Sequence, residues 1–366
     1  MLKTKSSNPA PDPPRRGVTI KDVASAAGVS TATVSHALNL TGRIQTKTRQ
    51  HVLTLARELK YYPNRNASNL ASRRSRTLGV IVSDIENPFF AVAVRSFEDT
   101  ARRWRYDTIV SETGYDLTLM QRAAENMLKH KVRGVAILTS EMSQQWLEEI
   151  VLQGIPIVGF DLSIKNDSVT NVRVDYASGM RQVVGHLYQL GHRHIGFVGG
   201  PASFKNILSR EQSYLASMKA LGLEPGPILN GNQRPDGGYA AGMAMIETAP
   251  RPTAMVAVND LTAIGLIKAM QTVGLDVPGD LSVTGFDNTY LAHYFNPRLT
   301  TVDMHPDIVG KSAAEALSDS FGDSGAAKER TISLNLVIGT STGPVPLSER
   351  GAPDLRVLKN GLPLSL

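Results

Sequence analysis

The stretch from Thr19 to Leu38 carries apolar residues at the spacing of two short amphipathic helices. The inward positions follow the helical period in each half: Ile20, Val23, Ala24 and Ala27, then Val34, Ala37 and Leu38. Thr19 can cap the first helix, with Asp22 as its capping-box partner. Gly28 suits a left-handed turn, and Ser30 can cap the second helix. The pattern predicts two helices joined by a tight turn.

A third amphipathic segment follows this pair. Thr46 can cap it, and its inward stripe consists of Val52, Leu55, Ala56 and Leu59. The segment should end before Pro63, which disfavours helical angles in the residue that precedes it. Helix could resume over Arg65–Ser72, a piece too short to be stable alone. The pattern therefore predicts a three-helix headpiece followed by a short connecting segment.

From Leu78 onward, short apolar runs alternate with amphipathic helical patterns. The predicted strands are Leu78–Val82, Thr108–Val110, Gly134–Leu138, Ile157–Phe160, Ile195–Val198, Ala254–Val258 and Ser282–Phe286. The predicted helices are Phe89–Trp104, Leu117–His130, Gln144–Leu152, Gly179–Leu190, Ser209–Leu221, Gly238–Thr248, Leu261–Val273 and Pro306–Ser318. Strict alternation indicates parallel sheets covered on both faces, as one large sheet or two smaller ones.

Composition narrows the class of protein. The 366 residues are 42% hydrophobic and 20% charged, as in globular proteins, and cysteine is absent. Disulfides and thiolate metal sites are therefore excluded, and a reducing cytosol is compatible. Residues 1–17 hold no apolar run that could serve as a signal peptide, and no window approaches the length of a bilayer span. We expect a cytoplasmic protein whose residues 1–17 form a disordered arm.

Positive charge is concentrated around the helix pair. Residues 1–76 hold 14 Lys and Arg against 3 Asp and Glu, a balance of +11. The whole chain is +6, so the rest of the chain carries a net charge of −5. A helical hairpin inside an ordinary bundle does not require this bias, whereas contact with DNA phosphates does. The charge favours a helix-turn-helix that enters the major groove.

Three segments of the sequence together carry a resemblance to a known family. VTIKDVASAAGVSTATVSHALN, TRQHVLTLARELKYYPN and LGVIVSDIENPFF resemble, in this order, the LacI/GalR family of bacterial transcription regulators. The resemblance runs from about Val18 to about Ser341. It implies an all-α helix-turn-helix headpiece and a two-lobed α/β core like that of periplasmic binding proteins, with two doubly wound parallel sheets.

The resemblance also implies how the chain is divided. It gives a headpiece over 18–62, a hinge over 63–77, an effector-binding and dimerisation core over 78–341, and a tail over 342–366. The chain should cross between the two lobes near Arg173–Val174, Thr301–Asp303 and Leu334–Leu336. The tail shows no clear heptad pattern, so we expect a homodimer rather than a tetramer.

The DNA contacts that the resemblance implies lie on the second helix and in the hinge. Thr31, Ala32 and His36 match positions that face base edges, and Ser30, Thr33, Ser35 and Asn39 match positions that hold phosphates. Many members have arginine where His36 stands, so no known operator preference carries over, and His36 could instead contact only a phosphate. Leu70 matches a minor-groove wedge, although the segment around it could also be a plain polar linker.

Polar and aromatic side chains gather where predicted strands end, which in parallel sheets is the edge that binds ligands. They are similar to sugar-contacting positions of the family. The expected effector-binding residues are Asp84, Asn87, Phe89, Phe90, Asp161, Arg210, Asn259 and Asp287. Carboxylates, amides and a guanidinium can bind hydroxyl pairs, while Phe89, Phe90 and Phe160 could stack on a sugar ring.

Simpler roles remain open for some of these residues. Asn87, Asp260 and Asp287 could merely cap the helices or turns that follow them, and for Asp260 this is the favoured interpretation. Leu162 stands where many members have arginine, which leaves the identity of the sugar open.

We find no pattern for catalysis, a metal or a cofactor. His186, His192 and His194 do not share one helix face, and no complete dinucleotide, P-loop or nucleophile-elbow fingerprint is present. The expected function is a repressor that binds operator DNA as a homodimer under the control of a sugar-like effector. The alternatives are a solute receptor for transport, which would need a signal peptide, and an enzyme built on the same lobes.

Overall fold

The computed structural model describes residues 18–38, 41–61, 75–139, 142–162, 169–200, 205–322 and 329–346. The chain divides into two compact units, Met1–Arg74 and Ser75–Leu366. The predicted arm, Asn39, Leu70, most of the hinge and most of the tail lie outside the described residues.

Three helices form the headpiece: α1 (Ile20–Ala27), α2 (Thr31–Leu38) and α3 (Thr46–Glu58). Their shared core contains two buried side chains from each helix, namely Val23, Ala24, Val34, Ala37, Val52 and Ala56. These residues belong to the predicted inward stripes, because burial of apolar faces is what holds such short helices together. The three-helix prediction is confirmed.

Local hydrogen bonds fix the ends of the first two helices. The backbone N–H and the hydroxyl of Thr19 both donate to Asp22 Oδ2, at 2.7 Å each. Gly28 ends α1 in the left-handed region with φ of 64°, and Ser30 Oγ accepts the backbone N–H of Thr33 at 3.1 Å. The expected cap at Thr46 is wrong: Thr46 is the first residue of α3, and Gln45 holds the cap position without a side-chain bond.

The first lobe of the core is built on a parallel sheet of order β11-β5-β4-β3-β1-β2. Its strands are β1 (Thr77–Val82), β2 (Asp107–Glu112), β3 (Val135–Leu138), β4 (Ile157–Phe160), β5 (Val169–Val174) and β11 (Arg330–Ile332). Helices cover both faces: α4 (Pro88–Arg103) and α12 (Pro306–Asp319) pack together, as do α5 (Leu117–Lys129) and α6 (Gln144–Leu152). Successive side chains of a strand point to opposite faces of the sheet. In β1, Val80 and Val82 therefore belong to the apolar cluster on one face, and Ile81 belongs to the cluster on the other.

The second lobe repeats this plan on a smaller parallel sheet of order β7-β6-β8-β9. Its strands are β6 (Ile195–Gly199), β7 (Ile228–Asn230), β8 (Ala254–Ala257) and β9 (Ser282–Thr284). Its helices are α7 (Tyr176–Gln189), α8 (Lys205–Ala220), α9 (Pro235–Ile246), α10 (Asp260–Thr272) and the short α11 (Tyr290–Tyr294). The two-sheet, doubly wound fold class is confirmed.

The chain passes between the lobes at the three expected places. β5 belongs to the first sheet and leads directly into α7 of the second lobe. The other two passages form an antiparallel pair, β10 (Thr301–Asp303) and β12 (Asn335–Val337). These connections place the carboxyl ends of both sheets opposite each other, where a cleft forms.

Several elements were not predicted as strands or helices, among them the six-residue β5, in which Thr170, Asn171 and Arg173 interrupt the apolar positions, and the three-residue β10. β7, β11, β12 and α11 are three to five residues long and partly exposed, so they carry no periodic apolar pattern. The predicted strand over Ser282–Phe286 ends earlier, at Thr284. Within the described parts, the chain holds no helix with both the length and the apolar character that crossing a bilayer requires.

Candidate functional site

The outer face of α2 presents the side chains expected to contact DNA. Thr31, Ala32 and His36 are exposed, whereas Val34 and Ala37 are buried beneath them. Ser30 Oγ and Thr33 Oγ1 lie 2.9 Å apart and are hydrogen bonded to each other. Ser35 is half-buried. The helix therefore presents a short, polar surface on a rigid apolar support, the arrangement of a recognition helix.

The ring of His36 is held in one orientation. Its Nδ1 is hydrogen bonded to Thr41 Oγ1 at 3.0 Å, and the ring packs against Gly42, where a Cβ would lie 3.1 Å from it. Because this bond uses Nδ1, Nε2 is the nitrogen through which the ring can contact a base edge or a phosphate. No local pattern in the sequence indicates this role for Thr41.

A pocket lies between the two lobes of the core, at the carboxyl ends of the strands. It is partly open to solvent, and residues of both lobes bound it. Its lining residues are Ser83, Asn87, Phe89, Phe90, Tyr115, Leu138, Thr139, Phe160, Arg210, Gln233, Asn259 and Asp287. Six of the eight predicted effector-binding residues are among them.

The first lobe contributes an aromatic wall. Phe89 and Phe90 meet edge to face with centroids 5.2 Å apart, and Phe160 lies 5.9 Å from Phe89. Asn87 precedes them as the N-cap of α4, and its Oδ1 accepts the backbone N–H of Phe89 at 2.9 Å. Asn87 thus caps the helix through its side-chain oxygen, as the alternative interpretation held. Its Nδ2 faces the second lobe and donates to Asp287 Oδ2 at 3.4 Å.

The second lobe contributes amides. Asn259 caps α10 by accepting from Thr262 N at 2.8 Å, and its Nδ2 donates to the carbonyl of Gln233 at 2.9 Å. Gln233 is buried, has a left-handed φ of 65°, and its Nε2 has no hydrogen-bond partner among the described residues. Such a donor at a pocket wall can bind a ligand acceptor. Gln233 lies in a loop and left no signal in the sequence.

Arg210 is more engaged with the protein than the sequence suggested. Its Nη1 donates to the carbonyl of Val258 at 2.7 Å, and its Nη2 lies 3.2 Å from Met304 Sδ. The guanidinium also sits over the rings of Tyr176 and Phe286, at 4.9 and 5.1 Å. Its Nη2 is 3.9 Å from Asp287 Oδ1. Arg210 therefore places a buried, partly compensated positive charge in the wall of the pocket.

Two buried carboxylates, Asp287 and Asp260, lie close to Arg210 on this side of the pocket. Burial raises the pKa of Asp287, and the charge of Arg210 opposes that rise. Asp260 is tied to the protein by three donors, the N–H and hydroxyl of Thr289 and the hydroxyl of Thr301. Burial and the neighbouring Asp287 raise the pKa of Asp260. Asp260 therefore has a structural role, but not the expected one of capping the helix that follows, because Asn259 caps α10. Asp287 reaches the pocket.

Two predicted residues do not line the pocket. Asp84 is buried, and its Oδ2 pairs with Arg234 Nη2 at 2.9 Å. Asp161 has a left-handed φ of 51° and accepts the backbone N–H of Val174 through Oδ1 at 3.0 Å. Burial raises the pKa of Asp161. Both side chains are used to join strands and lobes, and their carboxylates are therefore not exposed in the pocket wall.

Leu162 is also not in the pocket. It is buried in an apolar cluster of the first lobe, and its backbone N–H and carbonyl are both bonded to the amide of Asn171. Apolar burial thus accounts for the leucine at this position.

Of the remaining lining residues, Phe160 was predicted to stack on a sugar ring, and the others were not predicted. Ser83 and Thr139 directly follow β1 and β3, and Ser83 Oγ donates to Thr139 Oγ1 at 2.9 Å. The rule that ligands bind at the carboxyl ends of parallel strands could have found both. Tyr115, like Gln233, lies in a loop with a left-handed φ, and the local sequence does not indicate its direction.

His186 and His192, two of the histidines considered above, make contacts within the protein. His192 is buried, and its ring nitrogens contact Thr253, Ser282 and the carbonyl of Gly343. His186 Nε2 lies 3.0 Å from Thr342 Oγ1. Within the described ranges, no three His, Cys, Asp or Glu side chains cluster as a metal site would require.

Each of the two units matches a known protein family. Residues 19–64 match the model of bacterial regulatory proteins of the lacI family, and residues 184–342 match that of the periplasmic binding protein-like domain. Catabolite control protein A of Staphylococcus xylosus is 33% identical over 293 residues, which cover 78% of this chain and 87% of that protein.

Solved structures agree with the sequence comparison. The lac repressor dimer bound to operator and an anti-inducer superposes with a TM-score of 0.79 at 27% identity, covering 90% of this chain and all of that one. A LacI-family regulator of Enterococcus faecium with bound ribose gives 0.67 at 27% identity, covering 73% and 99%. These relatives are regulators rather than enzymes. The chain therefore belongs to the lacI family of bacterial regulatory proteins.

Proposed function

We propose that this protein is a transcriptional repressor whose affinity for operator DNA is set by a small, uncharged, polyhydroxylated effector bound between the lobes of its core. The observation that carries the proposal is the union in one chain of a polar recognition helix and an inter-lobe pocket with aromatic and amide walls. A regulator of this kind works in the cytoplasm, where its operator is.

The headpiece supplies the DNA-binding half of the function. Its recognition helix α2 exposes Thr31, Ala32 and His36, and the first 76 residues carry a net charge of +11. The related lac repressor binds its operator as a dimer. A homodimer of this chain would place two recognition helices on two half-sites of a near-palindromic operator. Ser30, Thr33, Ser35 and Asn39 would hold phosphates, and Leu70 would enter the minor groove.

The pocket supports an uncharged effector. Its positive group, Arg210, lies 3.9 Å from the carboxylate of Asp287, which also lines the pocket, so the two opposite charges offset each other and do not favour an anion. The amides of Asn87, Asn259 and Gln233 can exchange hydrogen bonds with hydroxyl groups, and the phenylalanine rings can cover a sugar face. The relative from Enterococcus faecium was solved with ribose, an uncharged sugar.

A solute receptor for transport is the less favoured function. The core alone would suit it, but the basic three-helix headpiece would have no purpose there. In a repressor, by contrast, the effector changes the affinity for the operator. By linkage, the operator then changes the affinity for the effector by the same factor.

The test is the thermal unfolding midpoint of the full chain in the presence of paired compounds: D-ribose with ribose 5-phosphate, D-glucose with glucose 6-phosphate, and polyols and nucleobases. A compound that binds only the folded state raises the midpoint with concentration. We expect an uncharged member to do so, and Arg210→Lys to reduce the shift, because a lysine cannot keep the contacts with Val258 and Met304 that shape this wall of the pocket.

Arg193→Lys is the matched control, because Arg193 also stacks on an aromatic ring, Tyr188, but does not line the pocket. Its response should equal that of the parent protein. Stabilisation by the phosphorylated compounds alone would contradict an uncharged effector, and an unchanged response of Arg210→Lys would contradict binding in this pocket.

A further inference from the structure

One ion pair joins the two lobes at the rim of the pocket. Arg234 stands just before α9 in the second lobe, and its Nη2 lies 2.9 Å from Asp84 Oδ2, just after β1 in the first lobe. Its Nη1 also lies 3.9 Å from Glu86 Oε2. The side chain of Asp84 is only 2% exposed, whereas that of Arg234 is 40% exposed. One side of the pair is therefore shielded and the other is open to solvent.

The pair is next to the pocket on both sides. Gln233, Ser83 and Asn87 line the pocket and are neighbours in sequence of Arg234, Asp84 and Glu86. The ion pair therefore constrains the distance between the pocket wall in the second lobe and the pocket wall in the first lobe.

The backbone presents Arg234 from a firm turn. Asn232 Oδ1 accepts the N–H groups of both Arg234 and Gly237, at 2.9 and 3.1 Å, and Asn232 Nδ2 donates to Asp236. Pro235 occupies the first turn of α9, where its fixed φ suits the helix. The side chain of Arg234 thus starts from a fixed point rather than from a loose loop.

Asp84 is held equally well. Its Oδ1 accepts the N–H of Glu86 at 2.9 Å, and its carbonyl accepts the N–H of Asn87 at 3.3 Å. Oδ2 is left for Arg234. Separation of the lobes at this rim breaks the charge-assisted contact between Arg234 and Asp84, so the ion pair favours the spacing seen in the structure.

We infer that Arg234 is a positioning residue: its ion pair with Asp84 clasps the two lobes together and sets the spacing between the walls of the effector pocket. Arg234 is not one of the residues that line the pocket. Its action is on the distance between lobes, which is the quantity that effector binding changes in a two-lobed receptor.

The test measures that distance directly and needs no effector, so its outcome does not depend on the proposed ligand. The sequence contains no cysteine, so Leu152→Cys on α6 and Lys219→Cys on α8 give one exposed spin-label site in each lobe. Electron–electron double resonance then reports the distribution of distances between lobes. Labelled chains diluted with unlabelled protein keep the measurement within one chain.

In this labelled background, Arg234→Ala should shift the distribution to longer distances and broaden it. Arg234→Lys should return it part of the way, because an ammonium can still meet Asp84 but without the fork of a guanidinium. The matched control is Arg102→Ala, which removes an arginine paired with Glu98 and Asp99 inside the first lobe. This control should leave the distribution unchanged.

A double-variant cycle identifies the partner. Asp84→Asn should lengthen the distance as Arg234→Ala does, and the two changes together should do no more than either alone. The inference is overturned if Arg234→Ala leaves the distribution as it was, if Arg102→Ala alters it equally, or if the effects of Arg234→Ala and Asp84→Asn add.

Discussion

Single residues on the recognition helix are positioned by neighbours that never need to touch DNA. Thr41 holds Nδ1 of His36 at 3.0 Å, and Gly42 leaves just enough room for the ring. The orientation of His36 is therefore fixed by the protein rather than by the nucleic acid. A ring that is already oriented loses less conformational entropy on binding a specific base or phosphate.

Replacing Thr41 with valine should weaken specific DNA binding more than non-specific binding. The change removes one hydrogen bond, worth about 1 kcal/mol, which corresponds to roughly a fivefold loss of affinity. Thr41→Ser, which keeps the hydroxyl, should behave like the parent protein. Fluorescence anisotropy with a selected operator and a scrambled duplex gives both affinities, and equal losses on the two duplexes would contradict this role of Thr41.

The sequence indicated which residues line the pocket better than it indicated the contacts that these residues make with the rest of the protein. Asn87, Asn259 and Asp287 could be found because they follow strands, where a parallel sheet gathers its polar groups. The engagement of Arg210 with Val258, Met304 and two aromatic rings could not be found, since these residues are far apart in sequence. Asp84 was predicted to bind the effector because its partner, Arg234, is also far away in the sequence, and no local pattern indicates their ion pair.

At the scale of elements, close contacts between helices support the pocket. In α10, a Cβ at Gly265 would lie 1.9 Å from the carbonyl oxygen of Pro235 and 2.8 Å from Tyr239 N, so α9 and α10 approach backbone to backbone there. Pro235 directly follows Arg234 and Gln233, so this contact also fixes the loop that reaches the pocket. Only glycine fits at this approach.

Gly265→Ala should therefore lower the free energy of unfolding by roughly 1–3 kcal/mol, as overpacking does. Gly185→Ala in α7 is the matched control, because a Cβ there meets nothing within 4 Å. It should be neutral or stabilise by up to about 1 kcal/mol, since alanine favours a helix interior. Denaturant unfolding of both variants measures the difference, and equal effects would contradict the close approach.

Elements with a continuous apolar pattern were predictable, whereas the six-residue β5 was not, because Thr170, Asn171 and Arg173 interrupt its apolar positions. Gln144–Leu152 and Ile157–Phe160 match their predicted bounds because apolar periodicity spans the whole of each. β11 and β12 have three residues each and owe their pairing to β5 and β10, which lie far away in the chain. Tertiary pairing rather than local propensity decides such strands.

At the scale of the whole molecule, the order of headpiece and core followed from charge and from alternation of strand and helix. That the core has two sheets rather than one did not follow from periodicity and rested on the family resemblance. The structure gives its physical basis: β5 feeds α7, and β10 pairs with β12, so the chain returns to the first lobe between them.

The measurement that tests the central claim most directly is selection of binding sites from a random DNA library, with the full chain and with residues 75–366 alone. We predict that the full chain enriches one near-palindromic sequence, because a homodimer presents two recognition helices, and that residues 75–366 enrich none. Failure of the full chain to enrich any sequence, or equal enrichment by the core alone, would contradict the account of this protein as a DNA-binding repressor.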